Sequence, residues 1–211
     1  MNLSVHRFVL GPLGNNCYLL IDQSEKQAVV IDPSFNSEEV LRFLEENELT
    51  VKGIWITHGH FDHFIGVPTL FDSLSYKPPL VLHYDDLDLW EEGGEGSVIG
   101  LKVEEMPQPT RLVEGGDSLH LGAHKIDIKH TPGHSPGHVT YYSPELQTAF
   151  CGDLIFHNSV GRTDLTGGSL PALMHSIRTQ ILTLPPETRL LSGHGEPTTV
   201  GEEAAHNPFL T

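Results

Sequence analysis

Three histidines and one aspartate lie within residues 58–63, directly after an apolar segment that reads as a strand. Alternate residues of an extended chain face the same side, so we expect His58 and His60 to point together. If the chain then turns into a helix at Asp62, the side chains of Asp62 and His63 reach a neighbouring point. Imidazole nitrogens with a single carboxylate are typical ligands of Zn²⁺ or Fe²⁺ rather than of Ca²⁺ or Mg²⁺.

Three later segments can supply the remaining ligands of such a metal centre. Residues 130–138 contain three histidines, and Cys151-Gly152-Asp153 and Ser192-Gly193-His194-Gly195 each follow an apolar run. Each segment lies at the end of a predicted strand beside glycine, where the backbone can pass close to an ion. The sequence therefore predicts a metal centre assembled from segments that are far apart along the chain.

The composition limits the classes of partner. The 211 residues include 28 acidic and 12 basic side chains, which give a net charge of −16. This charge argues against nucleic acid and anionic membranes as partners. No run approaches the about 18 consecutive apolar residues of a membrane helix. The low cysteine content, Cys17 and Cys151, is typical of a cytoplasmic protein.

The elements that must position these ligands are short strands and two helices. Helices are predicted at 38–48 and 170–181, with Ser37 and Ser169 as N-caps, and a loop at 91–109. Strands are predicted at 5–10, 17–21, 28–31, 54–57, 80–83, 126–130, 139–143, 148–153 and 188–192. Two groups of strands, each followed by a helix, fit an α/β or α+β layered domain. The order of the strands does not follow from this pattern.

The motifs HGHFDH, TPGHSPGH, GD and GHG, in this order, resemble the metallo-β-lactamase superfamily over nearly the whole chain. The resemblance implies one domain over residues 1–211, a four-layer αβ/βα sandwich of two mixed β-sheets packed face to face with helices outside. It implies a first metal site of His58, His60 and His134 and a second of Asp62, His63 and His194, bridged by Asp153. We expect two divalent ions, with zinc first and iron or manganese also compatible.

Two further residues resemble supporting groups behind the ligands. Asp32 matches the aspartate that the family places there, although an aspartate before Pro33 can also simply start a turn. His138 is expected either to be a buried structural residue or to support the ligands.

The chemistry expected of such a centre is hydrolysis. Two divalent ions can lower the pKa of a bound water to about 7, which gives a metal-bridging hydroxide at neutral pH. Asp62 and Asp153, with this hydroxide, are the predicted catalytic groups. The same centre would serve a thioester hydrolase or a lactonase.

Within the superfamily, the chain resembles the short form of glyoxalase II, or hydroxyacylglutathione hydrolase. The resemblance is carried by GDLIF, SVGRTD and the final GHGEPTTVGEE segment. It implies hydrolysis of a small-molecule thioester such as S-lactoylglutathione to lactate and glutathione. The C-terminal helical domain with which the long form binds glutathione is not expected. Arg162 is the candidate for binding a substrate carboxylate, or else forms an ion pair with Asp164.

Besides a lactonase, two other functions are compatible with the same residues. A persulfide dioxygenase resembles the chain in the same motifs and holds a single iron through the equivalents of His58, His134 and Asp153. A non-catalytic, metal-stabilised binding module would need the same ligands but would hydrolyse nothing.

Overall fold

The computed structural model describes residues 2–103 and 106–210 and contains two six-stranded sheets. The first sheet has the order β1-β2-β3-β4-β5-β6, in which β1–β3 are antiparallel and β3–β6 are parallel. Its strands are β1 Leu3–Leu10, β2 Asn15–Asp22, β3 Gln27–Ile31, β4 Thr50–Trp55, β5 Leu80–His83 and β6 Arg111–Val113.

The second sheet has the order β14-β13-β10-β9-β8-β7, and only the pairing of β10 with β13 is parallel among these described strands. Its strands are β7 Ser118–Leu121, β8 His124–His130, β9 Val139–Ser143, β10 Thr148–Gly152, β13 Arg189–Ser192 and β14 Thr198–Thr199. Strands β11 Ile155–Phe156 and β12 Ser159–Val160 form a small separate hairpin.

The two sheets pack face to face, and helices cover their outer faces. Alternation along β2 shows why: Tyr18 and Leu20 pack between the sheets, whereas Leu19 packs beneath the helices. The helices on the first sheet are α1 Glu38–Glu46, α2 Val67–Ser73 and α3 Leu87–Glu91. Those on the second are α4 Leu170–Ser176, continued by a π-helical turn Ile177–Ile181, and α5 Val200–His206. The predicted layering is confirmed.

Some local predictions differ from the structure. Ser37 does not cap α1 through its side chain: its backbone is helical rather than extended, and its hydroxyl donates to the Ser34 carbonyl at 2.7 Å. Ser169 does cap α4 by accepting from Ala172 N at 3.4 Å. The predicted strand at 54–57 ends at Trp55, and the chain leaves the sheet before the ligand segment. The predicted 91–109 loop contains a 3₁₀ turn at Gly96–Ile99, while residues 104 and 105 lie outside the described residues.

Helices α2, α3 and α5 were not predicted from the sequence. All three are short, with five to seven residues, and Gly201 weakens the local helix signal of α5 further. Within the described residues, no helix combines the length and the apolar character needed to cross a bilayer.

Candidate metal centre

The predicted ligands converge at one end of the two sheets. His58, His60, Asp62 and His63 follow β4, and the latter two lie in a 3₁₀ turn, Phe61–His63. His134 lies between β8 and β9, Asp153 follows β10 and His194 follows β13. Backbone hydrogen bonds join three of the segments at this point: Gly193 N donates to Gly152 O at 2.7 Å, and Asn16 N donates to Gly193 O at 2.7 Å. Segments that are distant in sequence therefore meet around one centre.

Two groups of ligand atoms form this centre. Those of His58, His60 and His134 lie within 4.8 Å of one another, as do those of Asp62, His63 and His194. The tightest approach is the 2.8 Å between His60 Nδ1 and His134 Nε2. These are the two sets that the family resemblance assigns to the first and second metal sites.

Asp153 stands between the two groups. Its Oδ1 lies 3.4 Å from His63 Nε2, and its Oδ2 lies 3.7 Å from His134 Nε2 and 3.6 Å from His194 Nε2. Gly193 allows this approach, because a Cβ at that position would collide with Asp153 Oδ1. One carboxylate thus faces both sets, as a bridging ligand would.

The donor atoms fit divalent cations. His58 Nε2 is buried and has no hydrogen-bond partner among the described residues, which is a costly state for a polar nitrogen unless an ion binds it. Burial keeps the pKa of His58 well below its usual value and lowers that of His60 to about 4, so both imidazoles are neutral. Metal ligation requires this form of histidine.

The two carboxylates are ionised despite their burial. Burial opposes ionisation of Asp62, but His63 and hydrogen bonds from His194 and Asn15 outweigh it and lower its pKa to about 2. The pKa of Asp153 is likewise well below its usual value, because His63 and the other histidines outweigh desolvation. The same carboxylates act on the second set: Asp153 and Asp62 outweigh desolvation and raise the pKa of His63 well above its usual value, and the hydrogen bond to Asp62 raises that of His194. An ion bound by these two imidazoles would therefore displace a proton. Imidazole nitrogens with ionised carboxylates are a donor set suited to zinc or iron.

Asp32 lies directly behind His63. Its Oδ2 is 3.0 Å from His63 Nδ1 and accepts from Thr57 Oγ1 at 2.6 Å, and its Oδ1 accepts from Thr57 N at 2.7 Å. Thr57 Oγ1 is in turn 3.0 Å from His58 Nδ1. Asp32 therefore orients the ligand segment, in the place expected for a supporting aspartate.

Three other ligands are held from behind in the same way. His138 Nε2 accepts from Asp153 N at 3.2 Å, and His138 Nδ1 lies 2.9 Å from Thr131 Oγ1. His134 Nδ1 is 2.8 Å from the Arg162 carbonyl oxygen, and His194 Nδ1 is 3.2 Å from the Leu13 carbonyl oxygen. His138 is thus both buried and in contact with the ligand loop, so both expected roles have a structural basis.

Sequence reasoning missed two residues of this centre. Asn15, at the start of β2, donates to Asp62 Oδ2 at 2.8 Å. Asp86 accepts from Gly59 N at 2.7 Å, Ser135 Oγ at 2.6 Å and Gly137 N at 2.5 Å, and so joins two ligand segments. Neither residue lies in a recognisable sequence motif. The one available sequence signal was the pair Asn15-Asn16, two polar residues directly before the apolar run of β2.

A cavity of about 320 Å³ opens above the ligands. His60, Asp62, His134, Asp153 and His194 face it. Its walls are formed by Leu13, Phe61, Gly94, Glu95, Val98, Ile99, Arg162 and Leu165. The guanidinium of Arg162 is bonded to Asp164 through Nε and Nη2, both at 2.7 Å. The predicted substrate cation is therefore beside the cavity but already paired.

The family model described as the metallo-beta-lactamase superfamily matches residues 10–194. The chain belongs to this superfamily. The relatives include the probable metallo-hydrolase YqgX of Bacillus subtilis, 36% identical over 97% of this chain and 96% of that protein. They also include the hydroxyacylglutathione hydrolase GloC of Haemophilus influenzae, 33% identical over 92% of both chains. A metal-dependent hydrolase superfamily thus explains the ligand set.

Solved structures of superfamily members superpose closely on the chain. The BLEG-1 B3 metallo-beta-lactamase has a TM-score of 0.93 and 38% identity, covering 99% of this chain and 100% of its own. TTHA1623, solved in a di-iron-bound form, has a TM-score of 0.87 and 41% identity over 97% and 100%. ETHE1 from Myxococcus xanthus has a TM-score of 0.80 and 25% identity over 97% and 83%. Members similar to this chain therefore include a di-iron protein.

Proposed function

We propose that this superfamily member is a thioester hydrolase that uses two divalent ions, with S-lactoylglutathione as a representative substrate. The observation that carries the proposal is the position of Asp153 between two complete ligand groups at the floor of an open cavity. The relative GloC, a hydroxyacylglutathione hydrolase, supports the choice of substrate. Zinc is the ion we propose, and the di-iron form of TTHA1623 supports iron as the substitute.

Bound divalent ions supply a nucleophile from water at neutral pH and polarise the substrate carbonyl. The residues of the chain prepare this site. Asp62 is kept ionised and is oriented by Asn15, and Asp153 is fixed by His138 through its backbone N–H. We assign the scissile bond to the part of the cavity lined by His60 and His134 on one side and by His194 on the other.

A persulfide dioxygenase is the second candidate. The likeness to ETHE1 and to an iron-bound relative favours it, and His58, His134 and Asp153 would supply its two-histidine-one-carboxylate triad. A single iron would not need the second group of ligands, Asp62, His63 and His194. The presence of this complete second group favours the hydrolase.

Metal analysis with two assays separates the candidates. The purified protein is loaded with zinc or ferrous iron, its metal is quantified, and it is assayed for S-lactoylglutathione hydrolysis and for oxygen uptake on glutathione persulfide. We expect about two ions per chain and thioester hydrolysis with no oxygen uptake. One tightly held iron with oxygen uptake would establish the dioxygenase instead, and cleavage of a neutral lactone alone would point to a lactonase.

A further inference from the structure

The loop above the metal centre presents apolar side chains to the cavity. Val98 and Ile99, in the 3₁₀ turn Gly96–Ile99, are 70% and 62% exposed and line the cavity together with Leu13, Phe61 and Leu165. Exposed aliphatic residues gathered at the mouth of a polar site are typical of a binding surface.

This loop is fixed to the ligand segment. Phe61 N donates to Gly94 O at 3.0 Å, and Thr166 N donates to Glu95 Oε1 at 2.9 Å. Gly94, with a φ of +58°, allows the close approach, since a Cβ there would collide with Phe61 N. The apolar turn therefore stands at a set position beside His60.

The cavity offers little to a negative charge except the ligand site itself. Arg162 is the one Lys or Arg side chain among the described residues that line it, and Asp164 already accepts two hydrogen bonds from its guanidinium. Glu95 adds a carboxylate to the same wall, and the chain carries a net charge of −16. An anionic group would find no unpaired guanidinium or ammonium in this wall, whereas an apolar group would exchange water for aliphatic contacts.

We propose that residues 94–101 form the acyl-recognition element of this site, and that the preferred substrates are thioesters of uncharged, apolar acyl groups. This inference rests on the thioester hydrolase function proposed above. The acyl chain, rather than the thiol, is assigned to residues 94–101 because Glu95 Oε2 lies 3.8 Å from His60 Nε2, on the side to which we assign the carbonyl oxygen. Leu13, whose carbonyl oxygen lies 3.2 Å from His194 Nδ1, is on the opposite side. The thiol then leaves on the side of His194.

A series of thioesters tests the proposal. Zinc-loaded protein is assayed on acetyl, butanoyl, hexanoyl and octanoyl esters of N-acetylcysteamine, an uncharged thiol. We expect kcat/KM to rise about two- to fourfold for each methylene that the cavity buries. In the Val98→Ser/Ile99→Ser variant the hexanoyl-to-acetyl ratio should fall towards one. Leu112→Ser, which alters an equally apolar residue, 46% exposed on β6, should keep the wild-type ratio.

Binding measurements separate this inference from the proposed function. Calorimetry of acetate, butanoate, hexanoate and octanoate with the zinc-loaded protein should show affinity rising with chain length in the wild type and not in the double variant. If no thioester is cleaved but this binding trend holds, the thioester function fails and the apolar acyl cavity stands. Flat profiles in both experiments would overturn the inference. So would a kcat/KM that is flat across the acyl series but rises with chain length across acetyl thioesters of ethanethiol, butanethiol and hexanethiol.

Discussion

Asp153 is the residue on which both ligand groups depend, because its carboxylate lies within 3.7 Å of His134 in the first set and of His63 and His194 in the second. Asp153→Ala removes the bridging carboxylate, so we expect loss of most bound metal and a loss of activity beyond the about 10–100-fold typical of supporting residues. Metal quantification and the thioester assay check this. Asp72→Ala, at an exposed carboxylate in α2, is the matched control and should match wild type. A fully metallated, active Asp153→Ala protein would contradict the assignment.

Asp32 allows a sharper test of a residue that does not itself touch the ions. It has a φ of +53°, a left-handed conformation that asparagine tolerates, so Asp32→Asn preserves both the turn and the side-chain volume. The amide cannot provide the charged acceptor for His63 Nδ1 and Thr57. We expect metal affinity to fall about 10–100-fold.

Competition with a chromogenic chelator measures this affinity, while thermal unfolding of the metal-free proteins reports the fold. Equal metal affinities in wild type and Asp32→Asn would reduce Asp32 to a turn residue before Pro33. If metal-free Asp32→Asn is much less stable than the metal-free wild-type protein, Asp32 likewise acts mainly on the fold rather than on the metal ligands.

At the scale of elements, β5 and β8 meet through a pair of histidines. The rings of His83 and His130 stack with centroids 4.2 Å apart and planes 13° from parallel. Asp85 lies close enough to complete a ligand group, but nitrogens of nearly parallel stacked rings point side by side rather than towards one ion. We interpret this cluster as a packing contact.

This contact predicts a loss of stability in acid. Burial, followed by the neighbouring His130, lowers the pKa of His83 from 6.5 to about 4, although Asp85 and Asp117 oppose this shift. His83 is protonated below about pH 6.5 in the unfolded chain but only below about pH 4 in the folded chain, where its pKa is lowered. The free energy of unfolding should therefore fall as the pH drops through this window.

His83→Gln should remove part of this decline. Denaturant unfolding at about pH 7 and pH 5 measures the difference, and His120→Gln, at an exposed histidine of β7, is the control. The same decline in His83→Gln and wild type would show that other groups cause it.

At the scale of the whole molecule, the ligand loops leave strands of both sheets, β4 in the first and β10 and β13 in the second. Ions that bind only the folded state stabilise it by about 4 kcal/mol at a free concentration of 1,000 Kd. For a domain of this size, each kcal/mol raises Tm by about 2–4 °C. Calorimetry before and after treatment with a chelator should show a marked drop in Tm.

Asp153→Ala should show a smaller response to the chelator, because it has less metal to lose. An unchanged Tm after verified removal of metal from the wild-type protein would show that the centre does not join the two sheets.

The sequence alone determined the types of the ligands and the family of the fold. The spacing of His58, His60, Asp62 and His63 is local, and the matching motifs around His134, Asp153 and His194 are short, so both can be read along the chain. The continuous buried runs of β2 and β3 and the apolar stripe of α4 are local in the same sense. The two-sheet layering followed from the family resemblance.

Only the tertiary structure decided how these parts meet. Asn15 and Asp86 touch the centre through contacts with residues 47 and 49 positions away, and no local pattern shows which distant residue each of them meets. The pairing of Arg162 with Asp164, and the position of Val98 and Ile99 in the cavity wall, likewise depend on the conformation of the loops that carry them. Such contacts depend on strand order and loop packing, which arise from the whole core at once, and a one-dimensional pattern does not carry that information.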